Sequence, residues 1–157
     1  MSAKQWSEIK YSAVPSRANL IYNGAFLRND EERRRQFLGK VEAGEEKIHS
    51  ATNFPHDIVN SYEKYRSKDT TLEELWKALP NYGALENTLV VADGSGSMQS
   101  TIGESKITAL SVANALAIYF AEHCVGGFKN NYITFSETPQ LVNLGNGTLY
   151  SKIKIAK

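Results

Sequence analysis

Thr88-Leu89-Val90-Val91-Ala92, running into Asp93-Gly94-Ser95-Gly96-Ser97, is the stretch that decides the fold class. Its first five residues are a short apolar run, the pattern of a strand covered on both faces. The next five suit neither strand nor helix and read as a loop. Downstream, residues 105–123 place Ala109, Leu110, Ala113, Leu116, Ala117 and Phe120 at helical spacing. Their many small side chains allow close approach to a sheet. Residues 131–136 and 140–144 read as two more strands, joined by a turn containing Pro139. Strand, helix, strand and then a hairpin partner predict a right-handed βαβ unit and an α/β sheet within residues 84–157.

Residues 1–83 have a different grammar, that of a helical region. After Pro15 and Ser16, the residues Ala18, Ile21, Tyr22, Ala25 and Phe26 form one apolar stripe. Asn29 and Glu32 are spaced as a capping pair for a second helix carrying Phe37, Leu38 and Val41, which stops near Gly44. A third begins at Pro55 and carries Ile58, Val59, Tyr62 and Tyr65. A fourth starts at Thr70 or Thr71, each with a glutamate three residues on, and buries Leu72, Leu75, Trp76 and Leu79 before Pro80.

The chain has 157 residues, is 41% hydrophobic and carries 18 basic against 17 acidic side chains. That balance excludes disorder and removes the simplest argument for a nucleic-acid or membrane-surface partner. The single cysteine, Cys124, allows no internal disulfide and suits a reducing compartment. With neither an apolar leader nor an 18-residue apolar run, the expectation is a soluble, cytoplasmic protein.

Asp93, Ser95 and Ser97 offer one carboxylate and two hydroxyls at a spacing of two. If the loop curls, with Gly94 and Gly96 supplying the backbone freedom, the three can converge. An all-oxygen set favours a hard cation such as Mg²⁺ or Mn²⁺. The same residues also suit a solvated Gly/Ser turn in which Asp93 caps the following helix.

Leu89 to Met98, with Asp93, Ser95 and Ser97 at its Asp-x-Ser-x-Ser positions, resembles the first metal-site segment of von Willebrand factor A domains. Ile133 to Ser136 and Pro139 to Val142 are similar to that family's second and third strands. The resemblance implies a metal-ion-dependent adhesion site, weakly held Mg²⁺ or Mn²⁺, and a partner protein whose carboxylate completes the coordination. It also implies a Thr and an Asp from later loops, so three of five ligand positions are present and the domain is expected to be truncated. On that reading the run Thr88 to Ala92 is an exposed edge able to pair with a second copy or another chain.

In the first half, Trp6 to Ile9, Val14 to Ala18, Tyr22 to Phe26, Asp30 to Arg34 and Trp76 to Pro80 resemble an uncharacterised family. Its members join a helical region to a C-terminal von Willebrand A domain, an architecture similar to the TROVE proteins. The expected function is a non-enzymatic interaction module. The alternatives are a TROVE-like RNA-binding protein and an inactive fragment that needs a second chain.

Other candidates carry less. His49, His56 and His123 lack metal-ligand spacing to each other or to Cys124, which reads as a small buried hydrophobe. Arg33, Arg34 and Arg35 follow Asp30, Glu31 and Glu32 and read as a solvated helix face rather than a phosphate contact. No Ser/His/Asp grouping or defensible carboxylate pair predicts catalysis.

Overall fold

A computed structural model describes residues 5–65, 68–83 and 85–156, without the side chains of Tyr65 and Leu85. In chain order the helices are α1 (Ser16–Ile21), α2 (Asn23–Asn29), α3 (Glu31–Glu42), α4 (Pro55–Tyr65), α5 (Thr70–Lys77), α6 (Ala109–His123) and α7 (Leu149–Ile155). The strands are β1 (Leu85–Glu86), β2 (Val90–Asp93), β3 (Cys124–Val125), β4 (Asn131–Phe135) and β5 (Gln140–Asn143). The fold is mixed α/β. The described residues form two compact groups, 5–54 with 68–80 and 55–65 with 81–156.

In the first group the single helix expected from Ser16 to Phe26 is two helices, α1 and α2, broken at Tyr22 (φ −98°, ψ 6°). The expected apolar stripe is also displaced, because Ile21 and Tyr22 are exposed. The buried face is Ser16, Asn19, Asn23 and Phe26 instead. Helical spacing is kept, but three of these four side chains are polar. Asn19 and Asn23 are buried with their amides satisfied by other residues. Asn19 Nδ2 donates to Val14 O at 3.0 Å, and Asn23 Nδ2 donates to Asp69 Oδ2 at 3.1 Å. The Thr71 hydroxyl donates to Asn23 Oδ1 at 2.7 Å.

Capping differs from expectation for a related reason. Asp30, not Asn29, is the N-cap residue of α3, and its side chain makes no cap bond. Its Oδ2 instead accepts from the Tyr11 hydroxyl and from Arg33 Nη1. Asp69 caps α5, taking the Leu72 amide at 3.1 Å, while Thr71, Glu73 and Glu74 are buried. The helix α3 ends as expected, with Gly44 at φ +77°, a left-handed conformation that glycine adopts at little cost.

The arginine run is the largest departure in this half. Arg34 is fully buried, with its guanidinium against the rings of Phe26, Tyr11 and Phe37 at 5.0, 5.2 and 5.6 Å. Arg33 donates to the Trp6 and Ile9 carbonyls, and Arg35 is the most exposed of the three, beside Glu31. A cation enters a core only where stacked rings and an acceptor replace water, and here Asn19 Oδ1 accepts from Arg34 Nη1 at 3.1 Å.

In the second group β2 and β4 are parallel, pairing Val90 with Tyr132 and Asp93 with Phe135. β4 and β5 are antiparallel, giving the order β2-β4-β5. The helix α6 starts at Ala109 rather than 105, because the Thr108 side chain accepts from the Ser111 amide and caps it there. Of the stripe expected on this helix only Ala117 is buried; Ala115, Ile118, Tyr119 and Ala121 supply the rest of its buried surface. Packing of α6 against both α4 and the sheet moves the buried positions away from a single stripe. In α4, Ile58, Val59 and Tyr62 are buried as expected, while the Tyr65 side chain lies outside the described residues.

β2, at one end of the order β2-β4-β5, is not covered on both faces. Val91 is 58% exposed, and its in-register neighbours lead across Ile133 to Leu141, 66% exposed, with Phe135 exposed beyond them. One face of the sheet therefore packs on α6 while the other is open.

Two strands and a helix were not expected. A short parallel pair, β1 with β3, carries Cys124, which is buried. Residues 149–155 form α7, capped by the Thr148 side chain at the Ser151 amide. Leu149 and Ile153 anchor it, and the buried Lys152 ammonium pairs with Glu122 at 3.2 Å. Among the described residues no helix is long and apolar enough to cross a membrane.

Candidate metal centre

The loop after β2 leaves the sheet where open α/β sheets place their ligands, at the C-terminal end of a parallel strand. It is tied down at its first residue, where the Gly94 amide donates to the Phe135 carbonyl at 2.9 Å. The chain then curls back. Asp93 Oδ1 accepts the Ser95 amide at 2.8 Å, closing a turn through the side chain. Residues Gly96–Gln99 form one 3₁₀ turn, with the Met98 amide donating to the Ser95 carbonyl at 3.0 Å.

These turns bring the three sequence-designated residues together. Ser95 Oγ and Ser97 Oγ are 3.1 Å apart, and Ser95 bonds through its amide to Asp93. Ser95 is thus the common member of the set. The bonds from its amide and then its hydroxyl hold the Asp93 carboxyl below the usual carboxylate range. The group is therefore ionised throughout the neutral range.

The expected role of the glycines needs correction. Neither Gly94 nor Gly96 has a positive φ. A side chain at Gly94 would meet the Phe135 carbonyl oxygen at 3.8 Å, an ordinary contact, and Gly96 is open. The curl is made by the Asp93 side chain and the 3₁₀ turn, neither of which requires left-handed backbone here.

Sequence reasoning did not associate the β4–β5 turn with this loop. Gly94, Ser95 and Gly96 share a cavity of about 630 Å³ with Phe135, Ser136, Glu137 and Thr138. The signal lay in the topology: parallel pairing of β2 with β4 puts both C-terminal ends on one side of the sheet. Whatever follows β4 must then neighbour whatever follows β2.

Among the described residues no three His, Cys, Asp or Glu side chains cluster in a way that could hold a metal. His123 is engaged elsewhere, its Nδ1 2.8 Å from the Tyr119 carbonyl and its ring stacked on Tyr119 at 4.1 Å. Thr148 serves as a helix cap. The donor set at the loop is all oxygen, with one carboxylate and two hydroxyls. That chemistry fits a small hard divalent cation keeping several waters, and does not suit a soft metal.

Residues 1–86 match a family model described as a domain of unknown function, DUF2828. Residues 87–157 match a second, DUF7788, also described as a domain of unknown function. No curated protein and no solved structure matches the chain.

Proposed function

We propose for this chain, which belongs to the DUF2828 family of unknown function, a non-enzymatic role as a cation-dependent protein-interaction module. Asp93, Ser95 and Ser97 hold Mg²⁺ or Mn²⁺ in the manner of a von Willebrand A adhesion site, and a carboxylate of a partner protein occupies a further coordination position. The observation that carries this reading is the bridging position of Ser95. It draws a carboxylate and a second hydroxyl together at the end of a parallel strand.

In the proposed mechanism the ion supplies a Lewis-acidic, positively charged anchor. Asp93 provides the one full negative charge within the loop, and the two hydroxyls orient the ion without neutralising it. Asp93, Ser95 and Ser97 would leave coordination positions open, and a carboxylate of the partner would take one of them in place of water.

Isothermal titration of Mg²⁺ and Mn²⁺ into the wild type and Asp93→Ala tests this. Heat with the wild type and none with the variant is the expected result. Silence from the wild type would sink the metal reading.

A second reading, a TROVE-like RNA-binding protein, is favoured by a different feature. In the helical group a cavity of about 270 Å³ is lined by Lys10, Arg33, Gln36 and Lys40, with Glu46 opposing them. Such a basic recess suits a phosphate. Binding of single-stranded RNA that weakens steeply with salt, and weakens further in a Lys10→Ala/Lys40→Ala variant, is its test.

A further inference from the structure

The loop residues alone give a divalent cation one negative charge, which leaves the ion under-neutralised. Of Asp93, Ser95 and Ser97, Ser95 lines the cavity shared with the β4–β5 turn, whose lining also includes Glu137. We infer that Glu137 completes the cation site from the opposite wall, as a second carboxylate acting through a metal-bound water or directly. This inference rests on the metal reading of Asp93, Ser95 and Ser97.

Register carries the placement. Asp93 and Phe135 are paired across β2 and β4, so their Cα atoms are about one strand spacing, ~4.8 Å, apart. The Gly94 amide then bonds the Phe135 carbonyl at 2.9 Å, which keeps the two chains together just beyond the strands. Ser95 lies two residues past Asp93, and Glu137 two residues past Phe135. Both line the same cavity. The turn that carries Glu137 is itself braced, with the Ser136 hydroxyl donating to Thr138 O at 3.2 Å and the Gln140 amide to Thr134 Oγ1 at 3.0 Å.

Glu137 has no competing engagement. It is exposed, and among the described residues no hydrogen bond or ion pair ties up its carboxylate. Its turn neighbours are bonded to one another, so the fold does not need its charge. Mg²⁺ sites characteristically take one or two carboxylates and retain water, and a carboxylate holding a metal-bound water tunes affinity by about 10–100-fold.

Mn²⁺ titration by calorimetry, on the full chain, compares wild type, Glu137→Gln, Glu137→Asp and Asp93→Ala. Far-ultraviolet circular dichroism of each variant establishes that the fold is kept. Glu137→Gln is expected to raise the Mn²⁺ Kd about tenfold or more, Glu137→Asp to recover part of that loss, and Asp93→Ala to abolish binding. If Asp93→Ala abolishes binding while Glu137→Gln leaves the Kd unchanged, Glu137 is no part of the site and the three-residue reading stands without it. If Asp93→Ala leaves the Kd unchanged, or the wild type does not bind, the metal reading fails and this inference fails with it.

Discussion

The Arg34 guanidinium lies 5.0 Å from the centre of the Phe26 ring, fully buried and bonded to Asn19 through Nη1. Among the described residues its Nε and Nη2 have no hydrogen-bond partner. Burial lowers its pKa to about 10, with Tyr11 and Asp69 acting in the opposite direction. A buried cation held this way adds little net stability, since desolvation offsets most of what the rings supply. Arg34→Met, which fills similar volume without a charge, is expected to match or exceed wild-type stability. Arg34→Ala leaves a cavity and is expected to lose about 2–5 kcal/mol. Urea unfolding midpoints check both, and a methionine variant as unstable as the alanine variant would overturn the account.

Tyr11 and Arg34 respond to alkali in opposite senses. Burial first, and then the hydrogen bond to Asp30, push the Tyr11 pKa from 10.0 up to about 12. The folded state therefore keeps a proton that the unfolded chain has lost, and the stability this confers drains away as pH rises from 10 toward 12. Arg34, lowered by burial to about 10 in the folded state, behaves conversely: the unfolded chain binds more protons in that window, and stability rises. Tyr11→Phe removes the falling leg that Tyr11 supplies. Between about pH 9.5 and 11 its urea midpoint is expected to fall less than the wild type's, each relative to its own value at pH 8, since burial also raises the Tyr119, Tyr132 and Cys124 pKa values and those contributions remain. Parallel profiles would count against it.

Ser95 is the residue that links the other two members of the candidate site. Ser95→Ala keeps the backbone amide that holds Asp93 but removes the hydroxyl beside Ser97. The substitution is expected to leave stability within about 0.5 kcal/mol, as a partly exposed loop position should. Mn²⁺ binding is expected to weaken by about tenfold or more. Calorimetric titration alongside thermal unfolding separates the two effects, and unchanged Mn²⁺ affinity would remove Ser95 from the site.

The second edge of β2 pairs with no strand among the described residues. Beside it lies the open face of Val91 and Leu141. An unpaired edge presents backbone donors and acceptors that match another copy of itself. Light scattering is expected to show a dimer forming with concentration, and Val91→Lys, charged and already exposed, is expected to suppress it. A wild type that stays monomeric at high concentration would rule out the edge pairing.

Much of this molecule was readable from local pattern. The βαβ grammar of residues 88–136, the hairpin through Pro139, the helix from Pro55 and the Asp93-x-Ser95-x-Ser97 loop follow from periodicity and turn chemistry. Those depend on residues close in the chain. Much of what the pattern misjudged depends on partners remote in sequence. Asn19 and Asn23 were invisible as buried residues because Arg34, Asp69 and Thr71 supply their partners. α7 was missed because its buried face is only Leu149, Lys152 and Ile153, too short for periodicity to register.

By itself, then, the sequence determined most of the strand and helix segments and which three oxygen ligands sit on one loop. Spacing and composition suffice for that. The tertiary structure alone decided that Arg34 enters a core, that β2 is covered on one face, and that Glu137 shares a cavity with Ser95. Burial and proximity are properties of what packs on what, and a linear pattern does not encode the neighbour that arrives from the other end of the chain.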